Sequence, residues 1–299
     1  MILRPQGPFS LRGSLIGRAG GTIRAHGGEV ELTVRPRGAV GRARAVQLAD
    51  GAIRVAVLEG DPAPVAAEVR RRLALDADTT EFRERFADDP LVGPLVRRRP
   101  GLRPLVRGTA ATAAWAEAAA IETRVVAAAA PRSGGLRAPP TRQEIGALSP
   151  AELAARGLSP GRASTLARLL RTLDPEALAG HGSPAVLARL TRERGIGPWS
   201  AGVIALYGLG RLDVGLVGDL GLIRLAGRVN GRRASVADTA ALLAPYGEWA
   251  GLASLHLLGH PWAVTRGGRG TPRTSPAGPR ATRPAAGRPL RTSPRSWPG

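Results

Sequence analysis

The chain contains no cysteine, no lysine and one methionine, and its aromatic residues are five Trp, two Tyr and three Phe in 299 positions. Without cysteine there can be no disulfide, thiolate zinc site or cysteine-ligated iron–sulfur cluster. That usage fits a reducing compartment. Without lysine, all 43 basic residues are arginine, set against 23 acids for a formal charge of +20. Arginine holds phosphate as a planar, bidentate fork. A chain this basic expects a polyanion, nucleic acid first and an anionic membrane surface second. A GC-rich genome would also produce an Ala-, Gly-, Arg- and Pro-rich chain, so charge alone does not decide. No run approaches the roughly 20 apolar residues needed to span a bilayer. Met1–Pro8 lacks the apolar centre of a signal peptide. The expectation is an intracellular protein with no membrane partner.

Periodicity divides the sequence into three. Residues 7–60 read as strands and turns. Val30-Glu31-Leu32-Thr33-Val34 and Ile53-Arg54-Val55-Ala56-Val57 alternate with period two, and Gly20-Gly21, Gly27-Gly28 and Asp50-Gly51 mark turns. Asp61-Pro62 opens a helix with Val65, Val69 and Leu73 at helical spacing. Residues 1–78 therefore read as a small antiparallel sheet domain with at least one helix. From 79 to 265 the pattern is helical throughout, with short helices and tight connections. Ser149-Pro150-Ala151-Glu152 is a capping box, Ser159-Pro160 opens the next helix, and Pro184 opens another. Residues 266–299 hold eight Arg and no acid among Pro, Gly, Ser and Thr. Such a composition cannot bury a core and reads as a disordered tail. The fold class expected is α+β, a sheet domain followed by an all-α domain.

The stretch that carries chemistry is Gly195-Ile196-Gly197-Pro198-Trp199-Ser200, followed by an apolar helix and then Val217-Gly218-Asp219-Leu220. Gly195 and Gly197 permit positive φ and close backbone approach, and Pro198 suits the first position of a helix. N–H groups at that end, with the helix dipole, favour an anion. Arg192 and Arg194 lie just upstream, where they can add phosphate contacts. The hexapeptide also reads as an ordinary Gly-Pro turn between core helices. Asp219, ahead of Leu222, Leu225, Ala226 and Val229, equally reads as an N-cap. The two roles are compatible, since a cap fixes where the carboxylate sits. An enzyme needs Asp219 beside the hairpin and facing a cleft, whereas a simple cap points only into its own helix. His256 and His260 are spaced i, i+4, which suits one helix face, but no glutamate lies between them and no third ligand is evident, so no metal site is expected.

The segment from Gly195 to Ala201, with Asp213 and Gly218-Asp219-Leu220-Gly221-Leu222, resembles the signature of the helix-hairpin-helix DNA glycosylases, nearest to the 3-methyladenine DNA glycosylase II (AlkA-like) branch. Ala244–Ala253 is similar to the end of that domain, and Arg4–Leu11 and Phe86–Leu91 are similar to its N-terminal portion, so the resemblance spans roughly residues 1–265. It implies an enzyme that flips a damaged nucleotide out of duplex DNA and cuts its N-glycosidic bond. The family aspartate falls on Asp219, which would stabilise an oxocarbenium-like sugar and assist water at C1′. Gly195, Ile196, Gly197 and Ser200, with Arg192 and Arg194, would hold the DNA backbone. Trp199 would stack on the base. Lyase-competent relatives carry a lysine at the position of Trp199, so this chain should be monofunctional. The resemblance implies no cofactor, damaged duplex DNA as partner, action as a monomer, and a nucleoid-associated place in the cytoplasm.

The chain departs from the family at several positions. Arg194 and Leu216 replace prolines, and Val203 and Leu258 stand where relatives often carry pocket aromatics. Thr109–Ala130 is shortened and lacks the glutamine of the segment leading to the duplex wedge, with Trp115 a candidate substitute. A catalytically impaired DNA-binding protein with the same hairpin is therefore the alternative. A glycosylase for a deaminated or oxidised base is the third reading.

Overall fold

In a computed structural model, residues 1–15, 21–113 and 119–264 are described. Trp115 and the 266–299 tail lie outside them. Among the described residues a five-stranded antiparallel sheet is built from β1 (Ile2–Leu3), β2 (Ile23–His26), β3 (Glu29–Val34), β4 (Gly41–Gln47) and β5 (Ile53–Glu59), in the order β1-β5-β4-β3-β2. The pairing Val30↔Ala45 and Leu32↔Ala43, with Ala45↔Val55, puts the small and branched residues on one face. That face buries Val30, Leu32, Val34, Ala43, Ala45, Ile53 and Val55. The other face carries ion pairs such as Arg42–Glu31 at 2.8 Å. Period two thus separates core from solvent. The helix Pro62–Arg72, capped by Asp61, lays Val65 and Val69 on the apolar face. Ile2–Leu3 and a short helix at Leu11–Ser14 add to the strands and turns read in this region.

The remainder is helical with one exception. Arg132–Ser133 (β6) and Leu136–Arg137 (β7) form a two-stranded hairpin where an all-helical pattern was expected. Gly134, at φ +58°, makes the tight turn. The hairpin docks on the sheet: Arg137 N–H donates to Gly21 O at 2.9 Å and Arg24 Nη2 donates to Gly135 O at 2.7 Å. The expected helix starts at Ser149-Pro150, Ser159-Pro160 and Pro184 are all present, with the capping box at Ser149 formed by Glu152.

Two apolar cores lie among the helices. Leu166, Leu169, Leu170, Val186 and Leu190 belong to one, and Phe82, Leu222, Leu225, Tyr246 and Leu252 to the other. The helix Pro198–Val203 and the π-helical turn Ile204–Gly208 that continues it form the wedge between them. Ala201, Ile204 and Ala205 face the first core, and Val203 and Leu206 face the second.

His256 and His260 do not share a helix face. The helix Ala250–Leu257 ends before His260, and His256 is buried in the second core, stacked on Phe82 with centroids 5.6 Å apart. Burial, reinforced by the Arg99 charge and opposed by the Leu95 backbone, lowers its pKa from 6.5 to about 4. Protonation on acidification therefore occurs first in the unfolded chain. Stability is full above pH 6.5 and is lost as pH falls towards 4, by roughly 3 kcal/mol. Urea unfolding at pH 7.5 and 4.5 should show this loss in the native protein and a much smaller one in His256→Gln.

Candidate functional site

Asp219 is the N-cap of the helix Leu220–Val229. Its Oδ1 accepts from Gly221 N–H at 2.7 Å and Leu222 N–H at 3.4 Å. The cap expected from sequence is therefore present, but it uses one oxygen. The other, Oδ2, accepts from the Trp199 indole Nε1–H at 3.1 Å. Asp219 and Trp199 are both half-buried, so the pair stands at the surface of the second core. Here the carboxylate joins the start of its own helix to the start of the hairpin's second helix.

The backbone around this pair is close-packed by glycines. A Cβ at Gly202 would lie 2.8 Å from Gly215 O, so a side chain there would push the hairpin helix off the 215–219 segment. Gly218 sits at φ +88°, a left-handed conformation suited to glycine, and donates its N–H to Thr239 Oγ1 at 2.8 Å. Leu216 N–H donates to Ser254 Oγ at 3.0 Å. Thr239 and Ser254 are fully buried and lock the turn that aims Asp219.

The hairpin has the expected geometry at Gly195 and Pro198 but not at Gly197, whose φ of −90° is open to any residue and whose Cβ position meets no neighbour. Gly195 is at φ +90°, directly over Thr165. Gly197 is the N-cap of Pro198–Val203, and no side chain caps that end. Pro198 has no N–H, and Ala201 N–H returns to Gly197 O, which leaves the first-turn N–H groups of Trp199 and Ser200 without a helical acceptor. Gly195, Gly197, Arg192 and Arg194 are exposed, and Ser200 is half-buried. The Arg168 guanidinium donates to Arg194 O and braces the turn. Ile196 turns its side chain into the first core, so only its main chain is available to a ligand.

Of the two aliphatic positions, Val203 is buried one turn below Trp199. Leu258 is half-buried and reaches to 2.7 Å from where a Cβ on Gly221 would lie, against the capped helix end. Sequence reasoning missed Tyr207, although the spacing 199, 203, 207 could have pointed to it. Its phenol pKa is pushed up to about 12 by burial, with the Asp219 carboxylate adding to the shift and Arg107 opposing it. Tyr207 O accepts from Arg107 N–H at 2.6 Å, which ties the π-helical turn to the segment leaving the sheet domain. π-helical turns of this kind recur at functional sites.

The architecture defines a class: an antiparallel sheet followed by helices that present a glycine hairpin beside a helix-capping carboxylate. Among solved structures the chain is similar to the 3-methyladenine DNA glycosylase from Archaeoglobus fulgidus, with a TM-score of 0.73 at 18% identity, covering 86% of this chain and 96% of that one. It is also similar to the Clostridium acetobutylicum 8-oxoguanine glycosylase/lyase, with a TM-score of 0.67 at 16% identity, covering 86% of this chain and 94% of that one. The fold is thus that of the helix-hairpin-helix DNA glycosylases. A Mycobacterium tuberculosis protein named "Probable bifunctional transcriptional activator/DNA repair enzyme AlkA" is 32% identical over 218 residues, 65% of this chain. The match covers 43% of that relative, so the chain spans less than half its length. No family model matches the chain. Among the described residues, no helix is long and apolar enough to cross a membrane, and no group of three or more metal-ligating side chains occurs.

Proposed function

We propose that the chain is a monofunctional DNA glycosylase that releases alkylated purines, of the 3-methyladenine type, from duplex DNA. The observation that carries this reading is the Asp219 carboxylate, shared between its own helix cap and the Trp199 indole at the mouth of the hairpin. The hairpin N–H groups and Arg192 and Arg194 hold phosphate. Trp199 forms one wall for the extruded base. The bond between C1′ and the base nitrogen breaks, and its electron pair leaves with the base. An alkylated purine is already cationic, so it departs neutral and needs little help from a general acid. Asp219 stabilises the positive charge that develops on the sugar, water adds its oxygen to C1′, and the water proton is lost to the carboxylate or to solvent. The products are a free base and an abasic site. With no lysine in the chain, no lysine Schiff base with the sugar forms, and the strand stays uncut.

The test is release of 3-methyladenine or 7-methylguanine from alkylated duplex DNA by the purified protein. Absence of release from every alkylated or deaminated duplex, with DNA binding intact, leaves the second reading, a binding protein without catalysis. The aliphatic Val203 and Leu258 favour that alternative. Either reading expects affinity dominated by phosphate contacts. Duplex affinity should therefore fall at least about ten-fold between 50 and 200 mM salt in an anisotropy titration, the share of Arg192 and Arg194 alone. A nearly flat dependence would contradict the hairpin contact.

A further inference from the structure

Four large apolar side chains left open to solvent, Leu220, Val236, Trp262 and Val264, lie on or beside the segments around Asp219. Leu220 follows the carboxylate directly, and a Cβ on Gly218 would meet Val236 at 3.5 Å. Trp262 stands out among them: half of its surface is exposed, on a turn whose position is fixed. Ala263 N–H donates to His260 O at 2.9 Å, and Trp262 N–H donates to His260 Nδ1 at 3.2 Å. Arg224 donates twice to Ala263 O, from Nε at 3.1 Å and Nη2 at 2.8 Å. Arg224 belongs to the helix capped by Asp219, so this bond anchors the Trp262 turn to that helix.

The surroundings of Trp262 are basic and aromatic. The His260 ring meets the indole edge-on at 5.1 Å and 62°. Arg98 is close enough to His260 to lower its pKa, although burial is the larger cause. Arg99 Nη1 lies 2.9 Å from where a Cβ on Gly259 would stand, so its guanidinium rests on the same turn. Among the described residues neither Arg98 nor Arg99 forms an ion pair, although most arginines nearer the sheet have one. An apolar protein partner covering Trp262 would desolvate both cations. A nucleic-acid strand presents a base face and phosphates together, which satisfies the indole and the guanidiniums at once.

We propose that Trp262, backed by His260 and flanked by Arg98 and Arg99, is a second DNA contact, where the indole stacks on an unstacked base and the two guanidiniums hold the neighbouring phosphates. This rests on the DNA-binding reading but not on catalysis. It differs from the hairpin, where Trp199 is held by its bond to Asp219 beside backbone N–H groups, in presenting a half-exposed indole between two guanidiniums. The prediction is a preference for duplexes with a disrupted stack.

The test uses the full chain, with Trp262→Ala, the double variant Arg98→Gln/Arg99→Gln, and Gly197→Asp as a hairpin control. Two fluorescein-labelled duplexes of one sequence, intact and carrying a single tetrahydrofuran abasic analogue, are titrated by anisotropy at several salt concentrations. Trp262→Ala should weaken the abasic duplex roughly ten-fold and the intact duplex no more than about two-fold, as expected for one lost stacking contact. The arginine double variant should weaken both and reduce the salt slope by about two. Trp262→Ala and the double variant both binding like the native protein, while Gly197→Asp binds poorly, would overturn the inference and leave the hairpin reading standing. No binding by the native protein would overturn both. If Trp262→Ala lowers the thermal midpoint, the double variant, whose side chains form no ion pair among the described residues, decides alone provided its own midpoint is native. Base release enters none of these outcomes, so loss of the catalytic reading would not disturb them.

Discussion

Asp219→Asn is expected to slow single-turnover base release at least about 100-fold while duplex affinity stays within about three-fold, the loss being comparable to removing one preorganised charge-stabilising group. Asparagine is as good an N-cap as aspartate. Its amide oxygen can still accept from Gly221 and Leu222, so the helix Leu220–Val229 should keep its start. Two things change. The negative charge that would face the oxocarbenium-like sugar is gone, and the amide nitrogen now meets the Trp199 indole N–H, donor against donor. The substitution therefore separates the two roles of one side chain: the cap survives and the electrostatics do not. A variant that releases base at the native rate would reduce Asp219 to a structural cap. A variant that fails both to bind and to fold would show the indole bond to be the dominant role. Thermal melting beside the kinetic assay distinguishes these outcomes.

This duality is also where the sequence was readable and where it stopped being so. The cap could be read locally, because an Asp ahead of an apolar run needs only the next three residues to be recognised. The hairpin was legible in part: Gly195 adopts positive φ and Pro198 opens the helix, whereas Gly197, at φ −90°, uses none of glycine's extra freedom. The period-two strands and the Pro-led helix starts were legible for the same reason. Contacts set by tertiary packing were not. Nothing near Trp199 in sequence says that its indole reaches Asp219 twenty residues on. Thr239 and Ser254, which brace the turn before Asp219, look like ordinary helix-interior hydroxyls until Gly218 N–H and Leu216 N–H are seen to need acceptors. The β6–β7 hairpin escaped because strands of two residues have no periodicity to detect, and only Gly134-Gly135 signalled it. The His256/His260 spacing pointed the wrong way, because i, i+4 is meaningful only if the helix continues, and it ends at Leu257.

Arg72→Ala is expected to cost about 3–5 kcal/mol of folding stability, from two stranded carbonyls plus a cavity. Arg72 ends the helix Pro62–Arg72 and is almost fully buried. Its guanidinium donates to Thr33 O at 2.5 Å, Val106 O at 3.2 Å and Thr22 Oγ1 at 3.4 Å. Burial lowers its pKa to about 9, with Arg71 and Arg107 adding to the shift and Glu68 and Glu122 opposing it. Position in the last helical turn favours a cation. The planar fork is what allows one side chain to bridge a strand and the 106–107 segment together. Arg72→Met, which restores most of the volume and no donor, should recover the cavity share alone and remain about 2–3 kcal/mol below native. Arg72→Lys keeps charge but cannot span the same acceptors, and should fall between the two. The effect should reach the site, because Val106 N–H donates to Arg72 O and the next residue, Arg107, donates its N–H to Tyr207 O in the π-helical turn that continues the Trp199 helix. Urea denaturation should therefore rank the variants native, Lys, Met, Ala. Base release, measured where each variant remains folded, should decline in the same order. A native rate in folded Arg72→Met would show that the sheet domain holds the 106–107 segment without needing that guanidinium.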